Sequence, residues 1–144
     1  MFTTLPITIL TILLVVVSVI LHYEALLRLS NLIKSMKIHS RFRVVYGVLG
    51  ALIAHVSEVW VFAFGYYFLA PYSQFGTLVG KFSDSLRDYA YFSFITYSSL
   101  GYGDITPIGP LRFMVGMEVL TGIVLTSWTA SFMFIQMQRF WDDP

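Results

Sequence analysis

Tyr91-Phe92-Ser93-Phe94-Ile95-Thr96-Tyr97-Ser98-Ser99-Leu100-Gly101-Tyr102-Gly103-Asp104 is the stretch that decides the fold of this chain. Just upstream, Ser85-Leu86-Arg87-Asp88 has the form of a capping box, with serine at the N-cap and an acidic residue three positions later. That pattern predicts a helix over about Leu86–Ser98, rich in aromatics (Tyr89, Tyr91, Phe92, Phe94 and Tyr97). At ~1.5 Å per residue it reaches less than about 20 Å, too short to cross a ~30 Å hydrocarbon core. It is therefore expected to be re-entrant or a lid. After it, Gly101 and Gly103 alternate with bulky residues and open backbone conformations closed to other side chains. Non-helical backbone at membrane depth is tolerated only where it lines a water-filled cavity or is buried in protein. A bare segment fed by a short helix and flanked by full spans points to an ion pathway. The helix directs the negative end of its dipole toward that pathway, which favours a cation.

The flanks supply the membrane. Of the 144 residues 57% are hydrophobic and 12% charged, with a mean hydropathy of +0.75; an average soluble domain is about 25% charged. A water-soluble chain of this size buries only ~60–70% of its unfolded surface and could not hide so much apolar area. A soluble enzyme and a disordered linker are excluded. Cysteine is absent, which removes disulfides and thiolate chemistry, and a net charge of +1 argues against nucleic acid as a partner. Three stretches have the ~20 apolar residues of a spanning helix: Thr4–Tyr23, Val44–Ala70 (interrupted by His55 and Glu58) and Leu111–Gln138 (interrupted by Arg112 and Glu118). The first lacks the basic start and small-residue cleavage site of a signal peptide and is expected to remain in the protein.

Five of the nine basic residues, Arg28, Lys34, Lys37, Arg41 and Arg43, follow the first span. By the positive-inside rule this segment is expected to be cytoplasmic, the amino terminus and Pro71–Pro110 outside, and the carboxyl end with Arg139 inside. Lys81, Arg87 and Arg112 then lie outside. Leu26, Leu29, Ile33 and Met36 recur at helical spacing among these cations. That suits either a basic helix in the headgroup region or a continuation of the first span beyond the membrane.

The quoted run resembles the pore helix and signature filter of tetrameric potassium channels. The usual family form is T-T-V-G-Y-G-D, and this chain has Ser98-Ser99-Leu100-Gly101-Tyr102-Gly103-Asp104. Potassium channels are the standard example of a carbonyl-lined filter. The resemblance covers roughly Val44–Gln138 and leaves the first forty residues as an added span. It implies an all-α membrane protein with three transmembrane helices and one re-entrant helix and filter loop per subunit, four subunits forming a homotetramer. It divides the chain into an amino-terminal helix and basic segment (1–43) and a pore domain (44–144). The pore domain comprises outer helix 44–70, turret 71–84, pore helix 85–98, filter 99–104 and inner helix 110–138.

In that family the carbonyls at the positions of Ser99, Leu100, Gly101 and Tyr102 replace the water shell of potassium, and the Ser99 hydroxyl adds the innermost ligand. Leu100 and Tyr102 side chains point away from the axis, and Asp104 sits behind the outer mouth, bonded to the pore helix. Potassium ions in the filter are the implied cofactor, with no organic cofactor and no small-molecule substrate. A glycine near the middle of the inner helix is proposed in related channels as a gating hinge, and Gly122 lies closest to it; close helix packing through a small residue is the other reading. Ser99 for threonine keeps the hydroxyl but loses a methyl, and Leu100 for valine moves the branch outward. Both leave the preference for potassium over sodium open.

Ionisable residues within spans are costly and each is a site hypothesis. His55 and Glu58 are three apart on one face of the outer helix. They are expected to be interhelical glue, with Thr11 or Ser18 and Thr121, Thr126 or Trp128 as candidate donors to Glu58, and a proton- or pH-sensitive pair is the alternative. Glu118 is expected to be a buried acceptor for the pore helix, with a cation-attracting or gating carboxylate as the alternative. No arginine ladder marks a voltage sensor. The function expected is passive potassium conduction in a multi-pass protein of the plasma (inner) membrane. A non-selective cation channel and a non-conducting membrane scaffold or sensor subunit are the alternatives.

Overall fold

The computed structural model describes residues 4–141. Four α-helices dominate it: α1 (Thr4–Ser35), α2 (Ser40–Leu69), α3 (Leu86–Tyr97) and α4 (Leu111–Trp141). Between α2 and α3 lie a 3-10 turn (Ser73–Phe75) and strand β1 (Thr77–Gly80); β2 (Ile105–Ile108) follows the loop after α3. α1, α2 and α4 are each long and apolar enough to cross a membrane, and α3 is not. The chain is a multi-pass membrane protein.

At ~1.5 Å per residue the 32 residues of α1 extend about 48 Å. The helix therefore outruns the hydrocarbon core, and the first span continues as helix beyond Tyr23 to Ser35, carrying Arg28 and Lys34, while Lys37 lies in the turn before α2 and Arg41 and Arg43 lie in its first residues. α2 begins at Ser40, four residues before the hydropathy signal, because flanking basic residues are tolerated in a helix that leaves the core.

The segment expected as a turret, 71–84, is partly strand. Thr77–Gly80 pairs antiparallel with Ile105–Ile108, in register from Thr77 opposite Ile108 to Gly80 opposite Ile105. Residue-by-residue reading misses this, because a four-residue strand acquires its partner from beyond α3. Gly80 has φ +126°, and a β-carbon there would sit 2.0 Å from the Asp104 carbonyl oxygen. The sheet thus ties the segment before α3 to the segment leaving the loop.

α2 is the central helix, packed against α1, α3 and α4. Its small residues permit this: a β-carbon on Gly65 would meet both Leu14 of α1 and Met114 of α4 at 2.6 Å. Lipid is as apolar as the core, so close packing and polar bonds carry helix association here. Phe62, Tyr66, Phe92 and Met114 form the core toward the sheet, and Leu26, Leu29, Ile33 and Ala51 form a second core toward the α1–α2 turn.

Ser85 caps α3 and accepts from the Asp88 amide at 3.3 Å. The Ser83 hydroxyl and the Ser83 amide, the latter at 2.9 Å, both donate to the Asp88 carboxylate. These bonds, the hydroxyl's first, hold Asp88 below the usual carboxylate range. A lowered folded value means that their contribution is present above the unfolded value and lost as pH falls through the folded one. Ser83→Ala is expected to return the Asp88 titration toward about 3.9, followed by carboxyl-carbon NMR. An unmoved titration would remove Ser83 as the cause.

Candidate functional site: the loop after α3 and its buried supports

The loop 99–104 hangs from the last turn of α3. The Ser99 amide donates to Thr96 O at 2.9 Å and the Gly101 amide reaches back to Ile95 O at 3.0 Å. Ser99, Gly101 and Gly103 have φ of +61°, +49° and +79°, and the residues between them do not share this left-handed conformation. Leu100 and Tyr102 are 55% and 67% exposed, and no atom of the chain lies within 4 Å of where a β-carbon on Gly101 or Gly103 would be. The loop presents one open side beyond this chain.

Four of the hydroxyls on α3 each donate to a carboxylate. Tyr89 bonds Asp84, Tyr91 bonds Asp104 at 2.8 Å, Ser93 bonds Glu118, and Tyr97 bonds Glu58. Asp104 follows the loop, so the Tyr91 bond ties its exit to the middle of α3. The other Asp104 oxygen, Oδ1, is buried without a partner among the described residues.

Glu118 on α4 is fully buried and accepts from Ser93 of α3 and Tyr66 of α2. The Ser93 hydroxyl also lies 2.8 Å from the Val59 carbonyl. Gly122, one turn further along α4, lies against the end of α3: a β-carbon would stand 2.1 Å from the Tyr97 carbonyl oxygen. Gly116 faces open space.

Glu58 is also fully buried, and its donors are not those expected. His22 of α1 donates from Nδ1 to Oε1 at 2.7 Å, His55 donates from Nδ1 to Oε2 at 3.0 Å, and Tyr97 donates to Oε2. Thr11 and Thr121 instead bond carbonyls of their own helices, four residues back, and the Ser18 hydroxyl is buried without a partner among the described residues. Trp128 contributes a ring contact with His22, centroids 5.3 Å apart. Helix rise fixes depth to about a turn, and each residue turns a helix by ~100°, so depth does not select a donor. The missed signal was His22 itself, an imidazole inside an otherwise uncharged span.

Beyond the imidazoles, the Thr129 hydroxyl of α4 lies 3.0 Å from His55 Nε2 and 3.3 Å from His22 Nε2. One donor atom from each of His22, His55 and Glu58 falls within a 4.8 Å group. These atoms are already paired at 2.7–3.0 Å, closer than the ~3.3 Å between ligands of a tetrahedral ion with ~2.0 Å bonds. A divalent ion beside one carboxylate and two neutral imidazoles would also leave net positive charge at membrane depth, where charge is costly. The arrangement is a polar knot that closes on itself.

A protein-family model described as "Ion channel" matches residues 54–139, more than half of the chain. The match begins within α2, leaving α1 outside it, and spans α3, the loop and nearly all of α4. Comparisons with curated proteins and with solved structures find no match.

Proposed function

The chain belongs to this ion channel family and is not an enzyme; on that premise we propose that it is a potassium channel in which four copies surround one pore. The observation that carries the reading is the loop 99–104, left-handed at alternate residues and open on the side away from its own chain. Four such loops facing one another supply rings of carbonyls from Ser99, Leu100, Gly101 and Tyr102, which take the place of water around potassium. The Ser99 hydroxyl is the innermost ligand. The exposed Leu100 and Tyr102 side chains pack on neighbouring copies, and Asp104, held by Tyr91, lies behind the outer mouth.

The same reading orients the chain. The basic stretch between the α1 midpoint and the start of α2 is cytoplasmic, the loop lies toward the outer face of the plasma (inner) membrane, and the carboxyl end is inside. A second reading, a cation pore that passes sodium as well, is favoured by Ser99 and Leu100 standing where the family pattern has threonine and valine.

Reversal potentials of the purified protein in bilayers separate the two. Under opposed potassium and sodium gradients the potential is expected to follow potassium; a potential near zero would select the non-selective pore, and no current at all would remove the channel reading. Ser99→Ala removes one charge-facing oxygen and is expected to weaken ion or blocker binding at the innermost site by about tenfold, the size of a hydrogen bond to a charge. Unchanged affinity there would strike Ser99 from the ligands.

A further inference from the structure

Tyr97 is the last residue of α3 and stands two positions before Ser99, where the loop begins. Everything that fixes Tyr97 therefore fixes the turn from which the loop hangs. Its carbonyl side is packed by Gly122 of α4. Its hydroxyl enters a closed ring of side chains drawn from the three long helices. Glu58 of α2 receives Tyr97 and joins His22 of α1 and His55 of α2, and both imidazoles return to the hydroxyl of Thr129 on α4. The imidazole centroids are 5.2 Å apart, and Tyr97 packs on His55 at 5.9 Å. Along α1 and α2 the ring lies between the two apolar cores, since His22 falls between Ile7 and Leu26 and Glu58 between Ala51 and Phe62.

We infer that His22 and Thr129, acting through Glu58 and His55, are positioning residues for the filter, and that α1 braces the pore from outside the channel module through His22. The inference rests on the reading of 99–104 as the ion filter. Three features support it. Each heteroatom of the ring side chains lies within hydrogen-bond reach of another, at a depth where no water substitutes for a lost bond. Glu58 and His22 are wholly buried, so removing either leaves donors or acceptors unpaired rather than re-solvated. And the ring is α1's bond to the carboxylate that holds Tyr97.

The test uses the whole protein in lipid nanodiscs, with hydrogen exchange over the peptide containing Ser99 and Gly101. Tyr97→Phe keeps the ring's volume and removes the hydroxyl. His22→Leu removes the link to α1, and His22→Asn restores a donor near the Nδ1 position. Tyr97→Phe and His22→Leu are each expected to speed loop exchange about tenfold while amides near Ser83–Asp88 keep their rates. The double variant is expected to be no faster than the faster single one, and His22→Asn to exchange within about twofold of the parent. If His22→Leu does not fold, Thr129→Val takes its place with the same expectation, and unchanged loop exchange in Thr129→Val overturns the brace. Unchanged loop exchange in Tyr97→Phe, additive effects in the double variant, or exchange that a chelator accelerates in the parent protein would each overturn the brace, the last in favour of a bound metal. Potassium-over-sodium flux measured in parallel is expected to fall with the loop's protection. A parent protein that passes both ions equally refutes the functional reading, while the exchange data still decide the brace.

Discussion

Gly103→Ala is expected to bring selective potassium flux to background, a loss of at least about a hundredfold, with membrane insertion and helix content unchanged. Gly103 has φ +79° and Gly101 +49°, a region that costs an L-residue with a β-carbon roughly 1–2 kcal/mol. Within the chain the added methyl meets nothing within 4 Å at either position, so the fold has no steric reason to fail. The loop instead relieves the backbone by turning a peptide plane, and a turned plane withdraws one carbonyl from the ring. In the four-copy pore proposed above each copy would lose the same ligand, which multiplies the effect expected at the ion. Gly101→Ala should behave alike. Liposome flux with potassium or sodium, alongside circular dichroism of the same sample, checks both parts; undiminished selective flux through Gly103→Ala would end the assignment of 99–104 as the filter.

The second large effect is expected at Gly122, by a different mechanism. Here the backbone is helical and the obstacle is a neighbour: the added carbon would lie 2.1 Å from the Tyr97 carbonyl oxygen and 3.0 Å from its carbon. Both are backbone atoms, so no side-chain rotation makes room, and either α4 or the last turn of α3 must move. Overpacking of this kind costs about 1–3 kcal/mol, and the displaced turn is the one bonded to Ser99 and Gly101 through Thr96 and Ile95. Gly122→Ala should lower the thermal midpoint of the assembled protein and reduce selective flux at least tenfold. Gly116→Ala, in open space within the chain, should do neither. A hinge role for Gly122 makes the contrary forecast, altered opening with an unchanged midpoint, and that result would displace the packing account.

What the sequence determined by itself is local or compositional. Hydropathy alone identifies α1, α2 and α4 as spans, because ~20 successive apolar residues have no other stable home. Ser85 and Asp88 mark the start of α3, because an N-cap is made by residues three apart in the chain. Gly101 and Gly103 mark the loop, because only their own backbone angles are at stake. Even the presence of buried acceptors was legible, since Glu58 and Glu118 interrupt spans that otherwise exclude charge.

Tertiary structure alone decided who satisfies those acceptors. Glu58 takes His22, His55 and Tyr97 from three helices, and Glu118 takes Ser93 and Tyr66 from two. The pairing of Thr77–Gly80 with Ile105–Ile108 and the seat of Gly122 against Tyr97 belong to the same class. The physical reason is rotational. A spanning helix is fixed in depth by its hydropathy to within about a turn, and within that turn it presents residues ~100° apart to its neighbours. Hydropathy is nearly indifferent to that rotation, whereas a hydrogen bond is lost within an ångström of misplacement; the choice among rotations is made only when all four helices pack at once.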